Sequence, residues 1–149
     1  MKLYALNNIV SVGESIYFID IIGERIHLKN ERHEGLRLYG INICKDETDL
    51  IEDIEISEWL LSMLFKKEKD GIWVIDKLAN EGVIDFPYYT IERDESGEAY
   101  MFKRGGNFVM YIDYVRELQN AYHFFRDIEE GDFLNDDIDG KIKRLFNVI

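Results

Sequence analysis

Carboxylates are the chemical groups that this sequence concentrates most strongly. Of 149 residues, 30 are Asp or Glu and 18 are Lys or Arg, so the net charge is −12. Residues 46–100 hold sixteen acidic and five basic residues, a net −11, so most of the excess lies in the middle third. A local array of carboxylates suits docking on a basic partner, because opposed charges speed association and add specificity. Seven acids fall within thirteen residues: Asp46, Glu47, Asp49, Glu52, Asp53, Glu55 and Glu58.

Part of this acidic run has a purely structural explanation. Acidic side chains just before and inside the first turn of a helix are stabilised by its dipole, which accounts for Glu55 and Glu58 if a helix begins there. The five acids upstream lie on a predicted loop or edge strand, where mutual repulsion costs stability. The sequence leaves two interpretations of them open, a solvated face and a docking patch.

A second acidic run, residues 127–139, also contains seven acids in thirteen residues. Its segment from Asn135 to Gly140 matches positions 1, 3, 5 and 6 of a calcium-binding loop. Position 12, which should be a bidentate Glu, is Phe146, and Lys141 and Lys143 bring positive charge among the ligands. We favour an acidic interhelical loop over a calcium site, and the sequence alone does not decide between them.

The remaining reactive residues form no recognisable catalytic or metal-binding motif. His27 and His33 are separated by a predicted turn that fixes no ligand geometry, and Cys44 ends an apolar strand, as small buried residues often do. Neither of the usual glycine-rich phosphate-binding motifs occurs. We therefore expect no catalytic residues, no metal site and no cofactor. The alternative is an enzyme with a non-motif site that uses Asp20 with Glu24, or His123 with Asp127.

Hydrophobic patterning predicts an α+β fold with two antiparallel meanders. Strands are predicted at 3–10, 15–22, 25–29 and 36–44, and again at 87–92, 99–102 and 108–112. The strand at 15–22 is apolar on both faces, so it must be covered on both. Ser57 is a predicted N-cap for a helix over 58–67, and helical spacing continues over 72–81, although 72–75 also fits a strand.

Two amphipathic helices are predicted after the second meander. The longer one follows Asp113 as its N-cap and carries one apolar stripe through Leu118, Tyr122 and Phe125, while its opposite face includes Arg116. A short final helix is predicted over 139–147. The longer helix is expected to cover the sheet, with the pair 58–67 and 72–81 lying between the meanders, and residues 1–149 are expected to form a single domain.

The helical pair followed by a hairpin resembles the element order of winged-helix DNA-binding modules, over about fifty residues. The second helix would present Asp76, Lys77, Asn80 and Glu81 to DNA within the most acidic part of the chain, which argues against nucleic-acid binding.

We therefore expect a cytoplasmic, acidic protein-interaction module of bacterial or phage origin, with no direct contact to nucleic acid or membrane. The leading hypothesis is an inhibitor or immunity-type protein that neutralises a basic protein, such as a nuclease or another nucleic-acid-binding protein. Exposed aromatic side chains would anchor the contact, since surface charges alone add little affinity. A structural or adaptor role in a phage or bacterial complex is a further alternative, marked by an exposed apolar patch or unpaired strand edge. The predicted binding patch comprises Asp46, Glu47, Asp49, Glu52, Asp53, Glu55, Tyr88 and Tyr89.

Overall fold

A computed structural model describes residues 3–31, 39–75, 89–128 and 138–149. Within these ranges the chain is an α+β protein with two five-stranded antiparallel sheets and three α-helices. The chain divides into two compact units, Met1–Ile54 with Asp137–Ile149, and Glu55–Asp136. Each unit contains one sheet and is described by itself; the expectation of a single domain over 1–149 stays a prediction.

The first unit contains the first predicted meander. Its strands are β1 (Ile9–Val12), β2 (Ser15–Ile22), β3 (Arg25–Asn30), β4 (Tyr39–Cys44) and β5 (Glu52–Asp53), and the sheet order is β4-β3-β2-β1-β5. A 3₁₀ turn (Lys45–Leu50) connects β4 to β5. A helix, α3 (Ile138–Leu145), completes the unit at its C-terminal end.

Strand β2 is buried on both faces at its centre, as the sequence predicts. Ile19 belongs to an apolar cluster that also contains Val10, Leu28 and Ile51, all fully buried. Phe18 points to the opposite face and is also buried, with the Nζ of Lys143 from α3 lying 4.0 Å from its ring centroid. The same ammonium group donates a 2.7 Å hydrogen bond to Asn7 Oδ1, so α3 is held against the Phe18 face.

The second unit begins with α1 (Glu58–Leu64) and continues as a meander. Its strands are β6 (Lys66–Lys69), β7 (Ile72–Val74), β8 (Tyr89–Arg93), β9 (Tyr100–Arg104) and β10 (Asn107–Ile112), in the order β10-β9-β8-β7-β6. Helix α2 (Val115–Ile128) follows β10. None of the helices in the described ranges has the length and apolar character that crossing a bilayer requires.

Helix α2 covers the second sheet through its predicted apolar stripe. Val115, Leu118 and Tyr122 are buried, and the ring of Phe125 lies 5.4 Å from that of Tyr89 and 5.5 Å from that of Phe102, measured between centroids. Aromatic contacts at this spacing add to the stabilisation from buried apolar area. The inner face of the sheet is therefore the one that carries Tyr89, Ile91 and Phe102.

The predicted helix over 72–81 is wrong in its first turn, because Ile72–Val74 is strand β7. Asp70 and Gly71 form a tight turn that pairs β7 with β6, and Gly71 has a φ of +79°, which glycine adopts without strain. The helix over 58–67 accordingly ends at Leu64, before β6. The winged-helix order is not formed by the described residues, and residues 76–81 of the predicted helix lie outside them.

Helix α2 also begins one residue later than predicted. The Glu117 carboxylate accepts hydrogen bonds from the backbone N–H groups of Asp113, at 3.1 Å, and Tyr114, at 3.2 Å. This is the N3 half of a capping box, so the capping side chain is Glu117 and the helix begins at Val115.

Ser57 caps α1 as predicted, and its substitution should lower the stability of the chain. Its hydroxyl accepts a 3.2 Å hydrogen bond from the Leu60 backbone N–H. We expect Ser57→Ala to reduce the free energy of unfolding in urea by about 1 kcal/mol, because an N–H group at the helix start loses its partner. Ser57→Asp, which keeps an acceptor, should stay close to wild type. Equal loss in both variants would contradict a role for the cap.

Candidate functional site

The acidic segment, defined here as residues 46–53, lies in the first unit on the 3₁₀ turn and on β5. Asp46, Glu47, Asp49 and Glu52 are exposed to solvent. Asp53 is half-buried where β5 pairs with Val10 of β1. Five of the predicted binding residues thus lie close together in the chain, on the 3₁₀ turn and on the edge strand β5.

The acidic segment has few ion-pair partners among the side chains that the structure describes. Among the Lys and Arg side chains that the structure describes, which exclude that of Lys45, none forms an ion pair with Asp46, Asp49 or Glu52. Some of these acids stabilise the fold. Asp46 and Glu47 lie in the first turn of the 3₁₀ turn, where a negative charge is favourable. Glu52 and Asp53 put charge on the edge strand β5, which resists pairing with another strand. Asp49 has neither benefit, because it lies in the last turn, where the backbone carbonyls point outward.

Cys44 is coupled to the acidic segment through Glu47. Its thiol hydrogen bonds to the Glu47 carboxylate, and this bond, with partial burial and the nearby acids, raises the pKa of Cys44 above its ordinary value of 9.0. Potential ligand atoms of Cys44, Asp46 and Glu47 lie within 4.8 Å of one another. A thiol with a raised pKa is a poor metal ligand, because the thiolate is the form that binds. The geometry favours a hydrogen-bonded thiol at this position.

The other residues of the predicted patch have different positions. Glu55 is exposed, but it belongs to the second unit, where it forms an isolated bridge with Tyr114. Tyr88 lies outside the described residues. Tyr89 is fully buried beneath α2, and its hydroxyl accepts a hydrogen bond from Arg104 Nε at 3.4 Å. The prediction that Tyr89 is an exposed anchor is therefore wrong, because its position in β8 places it on the inner face of the sheet.

Glu58, the last acid of the run, is paired with two basic side chains of its own unit. Its carboxylate accepts hydrogen bonds from Lys67 Nζ at 2.9 Å and from Arg93 Nη2 at 2.6 Å. Its hydrogen bond to Lys67, supported by the charge of Arg93, lowers the pKa of Glu58 below its ordinary value of 4.5. Both cations also lie within 6 Å of the Trp73 ring. Glu58 therefore links α1 to the sheet and is less available to a partner than the acids of the segment.

The second unit contains an open cleft with acidic and aromatic walls. It has a volume of about 240 Å³. Ile56 is buried at its base, Glu98 and Asp113 are exposed, and Tyr100 is half-buried. The chain entering α1 is fixed there by a 2.9 Å hydrogen bond from Ile56 N–H to Asp113 O. A lining of acidic and aromatic residues suits a cationic group. The lining residues come from separated parts of the sequence, so their spacing does not predict this cleft. The lining residues are Glu55, Ile56, Glu98, Tyr100, Asp113 and Tyr114.

The residues weighed for acid–base chemistry lie partly outside the described side chains. Asp20 and Glu24 are exposed on β2 and on the turn that follows it, and neither lines the cleft. His27 is half-buried opposite Asn42 of β4, and His33 lies outside the described residues. His123 contacts the ring of Tyr122, while the Asp127 side chain and most of the 127–139 run lie outside the described residues.

Removal of the Glu47 carboxylate should make Cys44 more reactive. We expect Glu47→Gln to lower the pKa of the thiol, because an anionic acceptor that stabilises the protonated form is lost. The midpoint of the pH dependence of alkylation by iodoacetamide should then move to lower pH, and the rate at pH 8 should rise. Asp49→Asn removes the same charge from the same turn and is the matched control. Equal profiles for Glu47→Gln and wild type would contradict the coupling.

The chain matches no protein-family model, no curated protein and no solved structure. The function proposed next is supported by the charge, exposure and contacts of its own residues.

Proposed function

We propose that this chain is a protein-interaction module that binds a basic partner protein through its acidic segment. The observation that supports the proposal is the exposure of Asp46, Glu47, Asp49 and Glu52 on one short stretch, where Asp46, Asp49 and Glu52 have no ion-pair partner among the side chains that the structure describes. Like charges held together at this density cost stability. A basic surface on a partner removes that cost on binding.

Electrostatics of this kind act chiefly on the rate of encounter. Exposed charges add little affinity individually, since water and salt screen them. Their sum attracts a basic surface over about 10 Å at moderate salt and disfavours acidic competitors. The acidic segment should therefore determine how fast the partner arrives and how strongly binding depends on salt.

The cleft of the second unit supplies a site for an anchoring side chain. Its lining includes two acids, Glu98 and Asp113, and two tyrosines, Tyr100 and Tyr114. An Arg or Lys side chain of the partner satisfies both kinds of group, through charge-assisted hydrogen bonds and cation–π contact. The cleft is therefore a binding position of the second unit by itself.

A nucleic-acid-handling protein is the class of partner that fits best, because its binding surface for phosphates is basic. An acidic protein that occupies such a surface excludes nucleic acid by competition and acts as an inhibitor or immunity-type neutraliser. This finer assignment rests on charge complementarity alone, and competition between the chain and DNA or RNA for the captured partner is its direct test.

Neutralising the acidic segment should slow partner binding. We expect the triple variant Asp46→Asn, Asp49→Asn, Glu52→Gln to lower the association rate of the partner about tenfold at low salt, with a much smaller change in the dissociation rate. The partner is first captured from lysate with the wild-type chain at low salt and identified by mass spectrometry. Rates are then measured by surface plasmon resonance at several salt concentrations.

A second triple variant provides the matched control. Glu14→Gln, Asp20→Asn and Glu24→Gln remove the same charge from three exposed positions of the same unit that lie outside the segment. The control should reduce the association rate much less, because its charges are dispersed. Equal rate losses in the two variants would show that only net charge matters. Unchanged kinetics in the segment variant at low salt would overturn the proposal.

A further inference from the structure

The hairpin that joins β6 to β7 turns through Asp70 and Gly71. Lys69 pairs with Ile72 across the turn, so Asp70 and Gly71 form its tip. The Asp70 side chain is 84% exposed, and Gly71 has a φ of +79°. The backbone nitrogen that follows an aspartate approaches the side-chain carboxyl carbon most easily when it belongs to glycine, because glycine has no Cβ to block the approach. The turn therefore combines a reactive pair of residues with an accessible carboxyl group.

Strand β6, on one side of this turn, is held by few contacts. It is an edge strand that pairs only with β7 among the described strands. All four of its residues are exposed, and a shift of register interrupts its pairing between Lys67 and Lys69. Elements with little buried apolar area and exposed backbone hydrogen bonds open locally at a small cost in free energy. The folded chain is therefore able to make the backbone rotation that brings the Gly71 nitrogen to the Asp70 carboxyl carbon.

The chain contains a second Asp-Gly pair, in a different environment. Asp139 and Gly140 lie in the first turn of α3, and both are half-buried. In a helix the hydrogen-bonded backbone fixes the ψ angle, so closing a ring between the two residues requires the helix to unwind locally. The two pairs are identical in sequence and differ in their secondary structure. They provide a comparison within one chain.

We propose that Asp70-Gly71 is a site of spontaneous aspartate isomerisation in the folded chain. The backbone nitrogen of Gly71 bonds to the carbon of the protonated Asp70 carboxyl group, and the C–OH bond of that group breaks. The hydroxyl group leaves with the proton of the nitrogen as one water molecule, and a succinimide ring remains. Water then opens the ring. Attack at the side-chain carbonyl restores aspartate, and attack at the backbone carbonyl gives isoaspartate, so the mass of the chain is unchanged.

Isoaspartate changes the backbone of the hairpin. The chain then runs through the Cβ of Asp70, which adds one atom to the backbone, and the former backbone carbonyl becomes a free carboxylate. The lengthened turn no longer fits the pairing of Lys69 with Ile72. Lys67 Nζ lies 3.3 Å from the Asp70 carboxylate and 2.9 Å from that of Glu58, and it loses the first of these contacts. We expect β6 to detach from β7, while β8, β9 and β10 keep their pairing.

Ageing of the intact chain tests the proposal. The folded protein is kept at neutral pH and body temperature for several weeks, and isoaspartate is located by electron-transfer fragmentation of its peptides. We expect isoaspartate at residue 70 to accumulate steadily and to exceed that at residue 139 several-fold. In the modified molecules trypsin should also fail to cut after Lys69, because it does not cleave before an isoaspartyl residue.

Two variants and an unfolded sample serve as controls. Asp70→Glu keeps a carboxylate near Lys67 but requires a six-membered ring, which closes far more slowly, so no isomerisation should be seen at residue 70. Asp70→Asn should form the same succinimide faster, with release of ammonia, because a neutral amide does not need to be protonated first. In urea, Asp70 and Asp139 should react at similar rates, since the fold no longer distinguishes them.

The folded wild-type chain decides the outcome. An unmodified Asp70, under conditions in which the urea sample reacts, would overturn the proposal. Equal amounts of isoaspartate at residues 70 and 139 of the folded chain would also overturn it, because the turn would then have no effect.

Hydrogen exchange tests the structural consequence. In the aged protein the amides of β6 should exchange faster than in fresh protein, while those of β9 should not. Unchanged exchange in β6 of the modified molecules would contradict the expected detachment. This site does not involve the acidic segment, so partner binding through residues 46–53 is measured separately in fresh protein.

Discussion

The packing of α2 onto the second sheet fixes which side chains of that unit are left for binding. Phe125 contacts the rings of Tyr89 and Phe102, so the strand positions that share their face are committed to the core. Alternation along each strand then assigns the remaining positions to the outer face. Tyr89 is lost as a surface anchor for this reason, and Tyr111 is gained. The apolar interface between α2 and the sheet therefore determines which side chains of the sheet are buried and which are exposed.

The first unit combines an apolar sheet with an acidic stretch of chain between β4 and β5. Its sheet has buried residues on both faces of β2, and Lys143 of α3 contacts the Phe18 face. The carboxylates, which cannot enter this core unpaired, are gathered where β4 leads into β5. The resulting surface is costly for the isolated chain and well suited to a basic partner. The proposed association with a basic protein rests on the charge and exposure of these carboxylates.

Local signals in the sequence predicted most of the elements that depend on short-range chemistry. The strand over 15–22 and the Ser57 cap follow from alternation and from helix-capping preferences, and both are confirmed. Over Ile72–Val74 the helix prediction was wrong and the strand alternative correct, because the apolar residues there fit either period. The Asp70-Gly71 pair between two short strands is a hairpin signal. The apolar run at 72–75 is also short, and a short run favours a strand over a helix.

Features that depend on tertiary packing could not be predicted from the sequence. The burial of Arg116, expected on the polar face of α2, depends on its surroundings in the fold and not on helical periodicity. The exposure of Phe108 depends on one extra residue in β10, which moves its side chain from the inner to the outer face of the sheet. Nothing in the amino-acid composition of the strand predicts this bulge. The cleft gathers Glu55, Glu98 and Asp113 from three separated segments. The exposed carboxylates of the acidic segment, by contrast, were visible in the sequence as a charge run.

The most direct test of the central claim is to map the surface that a basic partner covers. A ¹⁵N-labelled sample is titrated with the captured partner at low salt, and the backbone amide shifts are followed by NMR. The proposed function predicts that residues 46–53 shift or broaden first and that added salt reverses the change. Shifts that leave residues 46–53 unaffected while the partner is bound would contradict it.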